Sequence, residues 1–216
     1  MREKTMKKAI ALGTLLALGL SAAPAYAEGT FTGFYAGAEL GAARSNTKTT
    51  VTPATGAAAT RTNKKTQADV GVFGGYGYQF DNGFYLGAEA SANRPTTQNK
   101  AITLGGVSVR ERPQYELALK GVAGIGISDS TLIYASAGVS RVKSKYLLPN
   151  NITRNATSSG RVLGLGVAQA FGDNLIGRVE YENTTYDRKS YVTAGAPTVA
   201  YKPASNRVSV GLAYKF

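Results

Sequence analysis

The sequence predicts an all-β chain: eight antiparallel strands running up and down, closed into a transmembrane β-barrel with short turns at one end and long loops at the other. Three observations lead there. Segments of alternating polar and apolar residues recur along the chain, and the connections between them alternate short and long. Past the first residues no apolar run reaches the roughly 18 residues that a membrane-crossing helix needs.

The N-terminus reads separately. Met1 to Lys8 is basic, Ala9 to Pro24 carries no charge, and Ala25-Tyr26-Ala27 is a small-x-small exit. This order predicts a cleaved secretory signal peptide over 1–27, leaving one domain over 28–216. Gly13, Gly19, Ser21 and Pro24 interrupt the apolar middle, which argues against a helical anchor. Export removes nucleic acid as a partner, so the formal charge of +9 left over 28–216, out of +12 for the whole chain, points to an anionic membrane surface instead. Cysteine and histidine are both absent. That excludes disulfides, Cys/His metal cages and a Ser-His-Asp triad, so no cofactor and no enzyme activity are expected.

The eight strands follow from their apolar faces. Phe34, Ala36, Ala38, Leu40 and Ala42 form the first; Val70, Val72, Gly74, Tyr76, Tyr78 and Phe80 the second; Phe84, Leu86, Ala88, Ala90 and Ala92 the third. Tyr115 through Ile127, at odd positions, make the fourth. Ile133, Ala135, Ala137 and Val139 make the fifth, where Arg141 would fall on the apolar side unless the strand has left the membrane or bulges. Leu163, Leu165, Val167 and Phe171 form the sixth, and Leu175, Gly177, Val179 and Tyr181 the seventh. The last is the clearest, with Val208, Val210, Leu212, Tyr214 and Phe216 on one side and Arg207, Ser209, Gly211, Ala213 and Lys215 on the other.

Asp81-Asn82-Gly83, Ser128-Asp129-Ser130 and Gly172-Asp173-Asn174 are hairpin turns by composition. Between them lie the long polar stretches Arg44 to Gln67, Pro95 to Arg112, Leu147 to Ser159 and Asp187 to Asn206, expected to be loops. In lipid every backbone amide must be paired, so a spanning sheet has to close on itself. A soluble β-sandwich would instead put bulky residues on one face and charge on the other. Here the second face holds Gly, Ser and scattered charges.

Gly33-Phe34-Tyr35-Ala36-Gly37-Ala38-Glu39-Leu40-Gly41 resembles the first strand of the small outer-membrane β-barrel family of porin-like and opacity-type surface proteins, similar to the barrel of outer membrane protein A. Gly74-Gly75-Tyr76-Gly77-Tyr78, Leu132 to Gly138, Gly164-Leu165-Gly166-Val167 and Arg178-Val179-Glu180-Tyr181 extend the resemblance over the whole exported region. Ala168-Gln169 departs from it, where relatives often carry Glu and an aromatic. The resemblance implies an outer-membrane location, short periplasmic turns, long extracellular loops and a structural and surface-interaction role in adhesion or envelope integrity. A small porin-type channel is the alternative. It also implies that Tyr214 and Phe216 form the C-terminal signal read by the barrel-assembly machinery.

If the apolar faces meet lipid, Glu39, Glu89, Glu116, Lys120, Arg178, Glu180 and Glu182 point inward. Eight strands enclose a space that side chains nearly fill, so these charges are expected to pair in an interior network. The predicted loops hold most of the basic charge, including Arg61, Lys64, Lys65, Arg110, Arg112, Lys143 and Lys145. Cations there would face the phosphates of lipopolysaccharide, and host or cell-surface ligands are further expected partners of what reads as a monomer.

Overall fold

The two-residue alternation seen in the sequence becomes ten strands in the computed structural model, which describes residues 29–52, 59–96, 100–104, 107–147, 153–187, 189–191 and 198–216. At 47–52, 59–61, 63, 65, 100–104, 107–113, 144–147, 153–156, 189–191 and 198–203 the backbone alone is described. The strands are β1 (Gly33–Thr52), β2 (Ala59–Gln79), β3 (Phe84–Pro95), β4 (Lys100–Leu104), β5 (Val107–Ser128), β6 (Thr131–Leu147), β7 (Thr153–Phe171), β8 (Leu175–Tyr186), β9 (Lys189–Tyr191) and β10 (Thr198–Lys215).

Eight of them form the wall, in the order β1-β2-β3-β5-β6-β7-β8-β10, every neighbour antiparallel, and β10 pairs back onto β1. The seam runs from Tyr35↔Lys215 to Thr52↔Thr198. No wall strand keeps a free edge, as lipid demands. β4 pairs beside β5 and β9 beside β10.

The apolar faces turn outward. Leu40, Leu119, Leu163, Leu165, Val210 and Leu212 are exposed, while Glu89, Lys120, Ser136 and Glu180 are buried. That inversion of the soluble pattern identifies lipid as the solvent of the wall. Phe34 stacks at 4.8 Å from Tyr76, Tyr78 at 4.8 Å from Phe80, and Tyr214 at 5.3 Å from Phe216, so the short-turn end carries an aromatic girdle. All three predicted turns are present, and Gly83 and Gly172 take the left-handed φ values, 81° and 70°, that such tight joints require.

The long connections differ from expectation. Much of 44–67, 107–112, 153–159 and 198–206 is strand, continuing the ladders Arg44↔Thr66 and Asn46↔Ala204 beyond the apolar belt. Threonine-rich stretches favour extended backbone, and outside lipid a strand needs no apolar face. Arg141 is likewise resolved without a bulge in β6. Pairing to β7 runs unbroken through Arg141↔Ser159, the register shifts against β5 lie between Pro113 and Tyr115 and between Gly126 and Ser128, and Arg141 faces out on a strand that continues to Leu147.

Candidate functional site: the barrel lumen

Strand parity sends one side chain in two toward the axis, and glycine makes room for the large ones. A Cβ on Gly166 would lie 2.3 Å from the Tyr134 ring, and one on Gly77 would lie 2.0 Å from the Tyr85 hydroxyl. Into this space six wall strands contribute charge. Among the described residues, three bases meet five carboxylates, and each base pairs with three of them.

Lys120 Nζ on β5 lies 3.1 Å from Glu89, 3.0 Å from Glu180 and 2.8 Å from Glu182. Arg178 on β8 donates to Glu89, reaches Glu39 at 2.8 Å and lies 3.6 Å from Glu180. Arg207 on β10 reaches Asp69 at 2.7 Å, Glu39 at 3.0 Å and Glu182 at 3.0 Å. Hydroxyls complete the shell: Ser136 donates to Glu180 at 2.9 Å and Tyr35 to Glu89 at 3.0 Å. In such a low-dielectric interior an unpaired charge would cost several kcal/mol. Mutual pairing offsets part of that cost, with five carboxylates sharing three bases.

Toward the short-turn end the lumen turns apolar. Tyr85, Val122, Leu132, Tyr134, Ala168 and Ala170 pack around Phe31, which is 3 % exposed. Phe31 belongs to a stub, Gly29 to Thr32, tucked into the mouth. Gln79 Oε1 accepts from the Phe31 amide at 3.2 Å, Thr32 Oγ1 accepts from the Gln79 amide at 2.9 Å, and Lys215 Nζ donates to the Thr30 carbonyl at 2.8 Å. Between stub and ion pairs remains a cavity of ≈ 40 Å³, lined by Tyr35, Tyr85, Glu89, Tyr134 and Arg178. That is water-sized space, with no room for a substrate.

Of the residues expected inward, Glu39, Glu89, Lys120, Arg178, Glu180 and Glu182 come together here. Glu116 joins no base among the described residues. It stands apart, where Tyr186 donates to its Oε1 at 3.0 Å. Asp69 and Arg207 belong to the cluster although the sequence reading did not assign them to it. Inward parity with Gly71 and Ser209 was the available signal. Inward Phe73, Tyr85, Leu132 and Tyr134 were equally missed. Of the bases assigned to the outer loops, Lys64 is exposed on β2 and Lys143 leans over Tyr115, 6.0 Å from the ring centroid. The side chains of Arg61, Lys65, Arg110, Arg112 and Lys145 lie outside the described residues, as does the whole of 1–27. Tyr214 and Phe216 sit exposed at the end of the seam, where the Phe216 amide donates to the Phe34 carbonyl at 2.9 Å.

Known proteins share this architecture. The chain is 28 % identical over 196 residues to a 25 kDa outer-membrane immunogenic protein of Brucella canis, covering 90 % of this chain and 82 % of the relative. It is 26 % identical over 157 residues to a 31 kDa outer-membrane immunogenic protein of Brucella melitensis, covering 68 % and 65 %. The crystal structure of Ail, the attachment invasion locus protein of Yersinia pestis, in complex with the heparin analogue sucrose octasulfate, superposes with a TM-score of 0.51. It covers 86 % of this chain and 100 % of that one at 12 % identity, a likeness of fold alone. Residues 13–216 match the family described as the outer membrane protein beta-barrel domain. With a closed eight-stranded wall, an apolar exterior and a charged interior already in view, the chain belongs to that family of outer-membrane β-barrel proteins.

Proposed function

We propose that this barrel is a non-conducting anchor with a structural and surface-interaction role, holding its extended outer strands above the membrane for adhesion or envelope integrity. The observation that carries this reading is the filled lumen: ion pairs span it at mid-height and Phe31 stoppers the short-turn end. An ion crossing would have to break several buried pairs and displace an aromatic plug. No step of catalysis is assigned to the lumen, whose carboxylates are all engaged by bases or hydroxyls.

Further parts of the proposal concern biogenesis and partners. Residues 1–27 direct export and are removed, Tyr214 and Phe216 are recognised by the assembly machinery, and the barrel acts as a monomer. Basic outer positions, Arg61, Lys64, Lys65, Arg110, Arg112, Lys143 and Lys145, meet lipopolysaccharide phosphates or anionic cell-surface ligands. Sulfated saccharide is one such class, by analogy with the ligand of Ail.

Planar-bilayer recording of the purified protein tests the central claim. Silence under applied voltage is expected. Stable single-channel currents would replace this reading with that of a small porin.

A further inference from the structure

One part of the lipid-facing wall departs from the rest. Outward positions of β5 and β6 carry Gly121, Ala123, Ala135 and Ala137, set side by side by the register Gly121↔Ala137 and Ala123↔Ala135. Leu86 of β3 rises on one flank, and Leu163 and Leu165 of β7 with Tyr181 of β8 rise on the other. Together they shape an apolar groove of ≈ 740 Å³.

The outer end of the groove runs into bases on the same face. Arg161 stands two residues beyond Leu163, and Arg141 and Lys143 stand four and six beyond Ala137. At ~3.4 Å per strand residue these positions are about 7, 14 and 20 Å further out. Arg141 faces Ser159 and Val139 faces Arg161, so the two guanidiniums are diagonal neighbours. Lys143 rests on Tyr115 of β5, and Arg94 is exposed at the outer end of β3. Among the described residues none of these four bases takes part in an ion pair. Asp187, exposed past the end of β8, pairs with none of them. On the remaining wall, exposed Arg44 and Lys64 stand beyond the paired Ala42 and Ala68, below which exposed Leu40 and Val70 fill the face.

We propose that the β5–β6–β7 wall is a binding site for one phosphorylated lipid of the outer leaflet, lipopolysaccharide. An acyl chain fills the groove over Gly121, Ala123, Ala135 and Ala137, and phosphates engage Arg141, Lys143 and Arg161. The inference rests on the outer-membrane reading above and deepens its lipopolysaccharide contact, while leaving the closed lumen out of account. Unpaired bases at the rim supply charge-assisted hydrogen bonds, and the concave stripe below them removes acyl carbon from competing lipid contacts. Charge alone would suit any anion. The groove directly beneath it selects an anion with a hydrocarbon tail.

Native mass spectrometry on the full barrel, taken from phosphatidylcholine nanodiscs doped with lipopolysaccharide, tests the site. The wild type is expected to retain one lipopolysaccharide. R141Q/K143Q/R161Q is expected to lower retention at least about tenfold, and A137F, which fills the groove, to lower it comparably. R44Q/K64Q, on the other wall, is expected to retain the lipid. All these positions lie on the outer face of the wall, and heat-dependent gel mobility verifies that each variant is folded.

Full retention by either the triple variant or A137F overturns the proposal. Equal retention of dephosphorylated lipopolysaccharide or of phosphatidylglycerol overturns it too, as does a dimer lost on A137F while lipid retention stays unchanged. None of these results bears on conductance, so failure here is separable from failure of the anchor reading.

Discussion

Arg178 lies over the ring of Phe73, its Cζ 3.4 Å from the ring centroid, so the central guanidinium is held by a π face on one side and by Glu39 and Glu89 elsewhere. Gly37 and Gly211 make this stacking feasible, since a Cβ on either would come within 2.7 or 3.1 Å of the Phe73 ring. Replacing Phe73 with Leu keeps an apolar side chain and removes the π face. A desolvated cation–π contact is worth about 2 kcal/mol. The urea midpoint of F73L, followed by gel mobility in lipid vesicles, should fall accordingly, and an unchanged midpoint would show that the stacking contributes nothing.

Lys120 is the sole base paired with Glu89, Glu180 and Glu182 together. K120M preserves the length of the side chain yet leaves these carboxylates short of a counter-charge, at a cost of about 3–5 kcal/mol. Adding E180Q to K120M should recover part of the loss. The pair of variants is compared by unfolding temperature on gels, where equal values for single and double variants would argue against charge as the cause.

Two glycines on adjacent strands should differ in their response to alanine. A Cβ on Gly138 of β6 would lie 2.0 Å from the Leu119 carbonyl and 2.7 Å from the Lys120 Cα, so the backbones themselves would have to part. On Gly121 of β5 the nearest atom is 3.8 Å away. G138A should therefore lose about 1–3 kcal/mol or fail to assemble, whereas G121A folds like the parent. Folded yield in vesicles separates the two.

Leu119 and Leu165 are 60 % and 64 % exposed on the wall. Nitroxide labels at either position should collide readily with oxygen and poorly with a water-soluble nickel complex, the signature of acyl chains. The reverse ranking would remove the membrane-spanning fold itself.

Much of this fold was legible because the period of a strand is two and lipid reverses the sign of burial. Once Leu119 and Leu165 were placed outside, Lys120 and Gly164 had to be inside. Arg207 was seen on the polar side of the last strand but not linked to the cluster, because its partners lie on β1, β2 and β8. Which residues of distant strands share a height depends on the stagger of the closed sheet, and no local pattern encodes that. Asp69 lies one residue before Val70, the first apolar residue of its segment, so alternation alone does not include it. The threonine-rich extensions read as loops for a related reason: without lipid to satisfy, a strand loses its oily marker while its ladder continues. Glu116 faces inward as its parity predicts, but it lies further along the axis and meets no base among the described residues.

Arg207 comes from the final strand, and the acids it neutralises come from the first, second and eighth. Until β10 pairs into the wall, Asp69 lacks the base that it meets among the described residues, and Glu39 and Glu182 are incompletely matched, a condition the hydrocarbon phase tolerates poorly. A truncated or half-threaded intermediate is therefore penalised electrically as well as by its open seam. The guanidinium of β10 thus ties together acids from three other strands at the same seam that closes the sheet.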